Sequence, residues 1–163
     1  MAALYLEDLA AGQVFESSGR TITEADVVGF AGVSGDFNPI HTDTEFCKDT
    51  IYGQRVVHGM LGLSVLTGLL DRTGLFSGTA IAMLGIRDWR FIAPVLIGDT
   101  VRFRLTITGV RRTSKPDRGV VGRHFQLFNQ RDEIAQQGHI DLLVRAREPA
   151  ADRPPPHRQR TSA

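Results

Sequence analysis

Gly59-Met-Leu-Gly-Leu-Ser-Val-Leu-Thr-Gly-Leu-Leu70 places apolar side chains nearly all round a helical wheel. Met60, Leu61, Leu63, Val65, Leu66, Leu69 and Leu70 leave no wide polar stripe, and a helix apolar on every face is expected to be buried on every face. Gly62 and Gly68 cost helix propensity but let another backbone come close. Arg72-Thr-Gly74 supplies the stop. The uncharged run between Arg55 and Asp71 is shorter than the ~20 apolar residues that span a bilayer, and it contains His58, Ser64 and Thr67. It reads as the buried helix of a soluble protein.

Downstream of this helix the pattern changes to period two. Val101, Phe103, Leu105 and Ile107 alternate with Arg102, Arg104, Thr106 and Thr108, which is the signature of a half-buried strand. Further strands are expected over Ile81–Trp89, Val120–Asn129 and Ile134–Ala146, with turns at Lys115–Gly119 and Gln130–Glu133. Upstream, Val14–Ile22 reads as one more strand. Thr23-Glu-Ala-Asp26 resembles a capping box, with Val27, Phe30 and Ala31 following at helical spacing, so a short helix is expected from Thr23 to about Gly32. A second short helix is expected over Thr44–Asp49. A strand, small helices, one buried helix and then a run of antiparallel strands define an α+β fold, with a curved sheet around one helix.

The 163 residues suit a single domain, and 42% hydrophobic content can build a core. That domain is expected over residues 1–146. Residues 147–163 are rich in Pro and Arg with almost no large apolar side chain, and are expected to be a disordered tail. The net charge of +1 argues against a nucleic-acid binder. One cysteine, Cys47, excludes an internal disulfide framework and fits the reducing cytoplasm. No Cys-x-x-Cys or His-x-x-x-His pair is present, so no structural metal site is expected. The N-terminus lacks the basic start and apolar run of a signal peptide. Residues 1–75 carry 4 basic and 10 acidic side chains, and residues 76–146 carry 11 and 6, so the sheet half is the more basic surface.

The chemistry concentrates in Ser34-Gly-Asp36-Phe-Asn38-Pro39-Ile40-His41. Pro39 has no amide donor and forces Asn38 toward an extended conformation, so Asp36 and His41 are expected on a bent, non-helical loop. Such a loop can aim a carboxylate and an imidazole at one point, a pair sufficient for acid–base work near neutral pH. Val57-His58-Gly59-Met60 then opens the buried helix. Free amides at a helix start stabilise negative charge, and glycine lets a substrate approach them. An acid–base pair beside an oxyanion donor is what enolate chemistry needs.

These residues resemble the hydratase-2 motif of the MaoC-like, (R)-specific enoyl-CoA hydratases and dehydratases. Val57-His-Gly-Met60 and Trp89-Arg-Phe-Ile-Ala-Pro94-Val-Leu-Ile-Gly98-Asp99 are also similar to features of that family, so the resemblance runs from about Tyr5 to Arg145. It implies a hot-dog fold, a long central helix wrapped by an antiparallel sheet, usually paired into a homodimer whose sheets join. It implies hydration of a trans-2-enoyl thioester of CoA or a carrier protein to the (R)-3-hydroxyacyl product, or the reverse dehydration, with no cofactor. By position, Asp36 and His41 would be the catalytic pair and Gly59 the oxyanion donor. Asn38 would brace the loop, and Thr67, with Ser64 nearby, would support the carboxylate. Cys47 stands where the motif commonly has Ala and is expected to pack. Trp89 and Phe91 are expected to fill core, and Gly98-Asp99 to form a turn.

Arg111, Arg112, Lys115 and Arg118 flank a loop that could meet CoA phosphates or an acidic carrier protein. An apolar lining around Leu61, Leu63, Ser64 and Thr67 would favour straight-chain acyl groups. An arginine reaching in would favour a short dicarboxylic one, as in mesaconyl-CoA. Two other readings compete, a hot-dog thioesterase and a non-catalytic acyl-binding or assembly subunit.

Overall fold

The computed structural model describes residues 3–147. The tail expected from residue 147 falls outside them apart from Arg147 itself, whose guanidinium bonds the Asp8 carboxylate at 2.9 and 2.6 Å. Helix α1 (Glu24–Ser34) starts with the expected box: Thr23 Oγ1 accepts from Asp26 N at 3.3 Å, and Asp26 Oδ2 accepts from Thr23 N at 2.8 Å. It runs two residues past Gly32 and stops where Gly35 takes φ 75°. The next segment is not wholly non-helical, as the sequence suggested. One helical turn, α2 (Pro39–Thr42), carries His41. Pro39 is the cause, because its fixed φ suits a first helical position and its missing N–H is not needed there. Helix α3 (Thr44–Lys48) follows, capped by Asp43, whose Oδ1 accepts from Phe46 N at 3.0 Å.

Helix α4 (Gly59–Thr73) is the longest, and Gly74 closes it at φ 71°. It is not buried on every face. Leu61, Leu63, Val65, Leu66 and Leu69 enter the core, whereas Met60, Ser64, Thr67 and Asp71 share one exposed face. The wheel misled because Met60 is apolar yet 54% exposed.

Six strands form an antiparallel sheet: β1 (Val14–Glu16), β2 (Arg20–Thr21), β3 (Ala80–Phe91), β4 (Thr100–Arg112), β5 (Arg118–Phe128) and β6 (Ile134–Arg145). The order is β1-β4-β5-β6-β3, with β2 also on β4. The single strand expected over Val14–Ile22 is therefore two. It breaks at Ser17-Ser-Gly19, where Ser17 Oγ accepts from Phe103 N at 3.0 Å. The alternation in β4 holds: Val101, Phe103, Leu105 and Ile107 are all buried. They join Leu66, Leu69, Phe125 and Leu127 in one core cluster. Edge strand β3 carries a bulge, since Arg87 pairs with His139 and Arg90 with Gln137, three steps against two. Asp88 sits there at φ 53°. Trp89 then lies over the bare backbone of Gly138, where an added Cβ would fall 2.6 Å from the indole and 2.8 Å from the Trp89 Cα.

Gly138→Ala is thus an overpacking change against backbone, and denaturant unfolding should show a loss of about 1–3 kcal/mol. A pH effect follows from the opposed pair His124 and His139, whose ring centroids are 4.8 Å apart. Desolvation, then the His139 charge, holds the His124 pKa below its ordinary 6.5. The folded state thus binds that proton less readily than the unfolded chain. This contribution to stability is present above pH 6.5 and lost as the pH falls below it. The melting temperature should decline between neutral pH and about pH 5, and decline less in His124→Gln.

Candidate active site

The Asn-Pro turn and the start of α4 meet at one point. Asp36 Oδ1 accepts from Asn38 N at 3.2 Å, and Asn38 Oδ1 accepts from Ile40 N at 3.3 Å, so each side chain stiffens the next turn of chain. His41 is buried, and its Nδ1 lies 2.7 Å from the Val56 carbonyl. A carbonyl only accepts, so the proton is on Nδ1, and Nε2 is the nitrogen free to gain or lose one. That Nε2 faces Asp36 Oδ2 at 3.9 Å. The gap is too long for a direct hydrogen bond, but one water can reach both atoms at ~2.8 Å. Asp36 keeps 52% of its side chain exposed, against 9% for His41.

His58, the N-cap of α4, joins them. Its Nε2 donates to the Asp36 carbonyl at 2.9 Å, and its ring stacks on His41 with centroids 3.8 Å apart. Gly59 and Met60 follow as the first residues of α4, whose amides have no intrahelical carbonyl. Asp36, His41, His58 and Gly59 line one cavity of about 700 Å³, together with Phe30 and Phe91. A Cβ on Gly59 would lie 2.7 Å from the Phe91 ring, so any side chain there would have to push that ring aside.

Phe91 was expected in the core and is instead 56% exposed at the cavity wall. Asp99 is more than a turn former. It is 4% exposed, and it accepts from Leu96 N at 2.8 Å and Gln130 Nε2 at 2.7 Å. Cys47 packs as expected, buried with Sγ 3.4 Å from the Ile40 carbonyl.

Sequence reasoning missed the roles of His58 and Gln136. Gln136 is 3% exposed; its Nε2 donates to the Gly59 carbonyl at 3.1 Å, and its Oε1 accepts from Trp89 Nε1 at 3.3 Å. It ties the helix start to β6 and β3. A signal existed: Gln136 shares the inward register of β6 with Ile140, Leu142 and Val144.

Other expected residues lie apart. Thr67 Oγ1 donates to the Ser64 carbonyl at 2.7 Å, Ser64 Oγ to the Met60 carbonyl at 2.8 Å, and neither lines the Asp36 cavity. Two to three turns of α4 separate Thr67 from Gly59, a rise of ~12 Å. Arg111, Arg112, Lys115 and Arg118 sit on the β4–β5 hairpin. Its register leads through Val144 to Ala80, the end of β3 opposite Phe91 and Gln136. Arg112 pairs with Glu7 at 2.6 Å and Arg118 with Asp117 at 2.7 Å. Within one chain the strand length, roughly 35 Å, keeps this hairpin from the cavity.

Asp36, His41 and His58 also place ligand-type atoms within 4.8 Å of one another. Imidazole lone pairs lie in the ring plane. Face-to-face stacking therefore suits proton handling better than shared ligation of one ion.

Residues 8–125 match the model of the MaoC-like domain family, and the chain belongs to that family. Its fold is an antiparallel α+β fold related to the hot-dog fold. It is 33% identical over 132 residues to the (R)-specific enoyl-CoA hydratase of Aeromonas caviae, covering 81% of this chain and 92% of the relative. It is 40% identical over 114 residues to protein MaoC of Klebsiella aerogenes, which covers 70% of this chain but only 33% of that longer protein. The crystal structure of a MaoC-like dehydratase from Rhodospirillum rubrum superposes with a TM-score of 0.78 at 28% identity, covering 89% of this chain and 99% of that one. The chain is thus homologous to (R)-specific hydratases and dehydratases, and it carries a clustered Asp and two His consistent with acid–base catalysis.

A Cβ on Gly62 would collide with the Gln136 amide. Gly62→Ala should therefore push Gln136 off the Gly59 carbonyl and cost about 1–3 kcal/mol. Adding Gln136→Ala should recover part of that loss, so a double-mutant cycle of unfolding free energies should be non-additive.

Proposed function

We propose that the protein hydrates trans-2-enoyl thioesters of CoA or a carrier protein to (R)-3-hydroxyacyl thioesters, or dehydrates them in reverse. The observation that supports this is that Asp36, His41 and Gly59 line one cavity, with His41 Nε2 3.9 Å from Asp36 Oδ2. Asp36 and His41 are its catalytic residues, Gly59 the oxyanion donor and Asn38 the brace. Water held between the pair attacks the β-carbon. With His41 starting as the imidazolium, protonated on Nε2 as well as Nδ1, Asp36 takes the water proton as Nε2 gives its proton to the α-carbon, and the proton on Asp36 then returns to Nε2 across the 3.9 Å gap. The same two atoms run the reversed assignment, as expected of a coupled pair. The Gly59 N–H polarises the thioester carbonyl and stabilises the enolate-like transition state, a contribution of about 3–4 kcal/mol for one such donor.

The working assembly is a homodimer joined along β3. That strand is an unpaired sheet edge with Ile81, Met83, Leu84 and Ile86 all exposed, and a long apolar edge is a template for another strand. A second copy would also cover Met60 and the half-exposed Asp36. In this arrangement α4 is the central helix of a hot-dog domain, wrapped by the curved sheet. The free thiol of Cys47 suits the reducing cytoplasm.

Asp36→Asn and His41→Gln should each lower kcat at least about 10²-fold while circular dichroism shows the protein still folded. Loss of enoyl absorbance with crotonyl-CoA reads hydration, whereas release of free thiol would instead indicate hydrolysis. Chiral analysis of the product checks the (R) outcome. Near-wild-type rates in both variants would remove the assignment.

A further inference from the structure

Strand β5 turns Val121, Arg123, Phe125 and Leu127 to the core. Three are apolar and one is an arginine, 3% exposed. Arg123 Nε donates to the Ile140 carbonyl at 2.9 Å. Its guanidinium lies over Phe76 and Phe125, 5.3 and 5.2 Å from their centroids. Nη1 is buried and has no hydrogen-bond partner. Burial lowers the Arg123 pKa to about 10, which leaves it charged at neutral pH. A buried charge with an unsatisfied donor is costly, and a leucine or methionine would fill the same place at no such cost.

The resident carboxylates do not satisfy it. Asp141 is engaged by Arg87, with both of its oxygens 2.9 Å from Nη2. Asp71 lies on the exposed face of α4 and forms no ion pair with Arg123 among the described residues. Arg123 instead lines a cavity of about 360 Å³ with Thr67, Leu70, Asp71, Phe76, Met83 and Leu142. This cavity shares Thr67 and Met83 with a smaller one of about 240 Å³, which shares Met60 with the Asp36–His41 cavity. The three follow the exposed face of α4.

We propose that Arg123 is a specificity-determining residue that binds the terminal carboxylate of an acyl group lying along α4. This deepens the reading of the site as one for acyl thioesters and rests on it. A carboxylate at Nη1 supplies the missing acceptor, and a charge-assisted bond in an apolar surround is stronger than a neutral one. The preferred substrates are thus dicarboxylic acyl thioesters, and an acyl group ending in methyl leaves the guanidinium unpaired.

Calorimetry with saturated thioesters tests this without turnover. Succinyl-, adipyl-, suberyl- and sebacyl-CoA are compared with butyryl-, hexanoyl-, octanoyl- and decanoyl-CoA on the full chain. At one length or more the carboxylated member should bind at least about tenfold tighter than its neutral twin. Arg123→Met should abolish that preference while binding the neutral twin at least as well, and Arg123→Lys should keep part of it. Ser77→Glu, at an exposed position on the cavity wall outside β3, supplies an internal carboxylate and should also abolish the preference, which covers the case of a misfolded Arg123→Met. No preference at any length in the wild type overturns the proposal, as does equal weakening of both series by Arg123→Met. If the preference holds but no enoyl thioester is hydrated, the hydratase reading fails and the carboxylate site stands. Hydration without the preference removes the carboxylate site alone.

Discussion

His58 is the joint on which the site depends. It caps the longest helix, donates to the carbonyl of Asp36 and lies face to face with His41. Two segments 22 residues apart in sequence are thereby held in one geometry: the Asn-Pro turn and the Val56–Gly59 stretch that leads into α4. The Val56 carbonyl then selects which nitrogen of His41 works. Without these two imidazole bonds to backbone carbonyls, Asp36 would be an exposed turn residue and His41 a core histidine. Gln136 makes the corresponding tie on the other side, from the Gly59 carbonyl to Trp89. The helix start at Gly59, where the oxyanion donor is proposed, is thus anchored to the sheet rather than to a loop, which suits a group that must not reorganise during reaction.

Both inward-facing polar residues of the sheet occupy positions that its alternation reserves for apolar side chains. Gln136 has a partner for each of its amide atoms, and it lines the Asp36–His41 cavity. Arg123 is only partly bonded, and it touches the cavity beyond. A local rule broken with a donor left unmet is where function is expected. The strand β5 sequence displays this directly, as Val121-Gly-Arg123-His-Phe125-Gln-Leu127, once the inward face is known.

Much of the fold was legible in sequence because its signals are local. The Thr23–Asp26 box, the stop at Gly74 and the alternation from Val101 to Ile107 each depend on neighbours within a turn or a strand. Where the reading failed, a distant partner decided. Met60 is exposed because α4 turns that face away from the core. Phe91 leaves the core because the bulge at Asp88 shifts the strand beyond it. Thr67 was placed near the carboxylate by resemblance and the hairpin arginines were read as a contact for CoA phosphates or a carrier, and the chain's own geometry sets Thr67 about two turns along α4 and the hairpin at the far end of the sheet.

The amino-acid sequence by itself determined the α+β class, the order of elements and the pairing of a carboxylate with a histidine five residues later. Those follow from hydrophobic period, turn chemistry and side-chain type, which act over short spans of chain. Only the tertiary structure decided which histidine nitrogen is free, that His58 and Gln136 hold the site, and that Arg123 faces a cavity with an unmet donor. Each of these depends on a backbone carbonyl or an aromatic ring brought from another element, and chain folding alone sets that proximity.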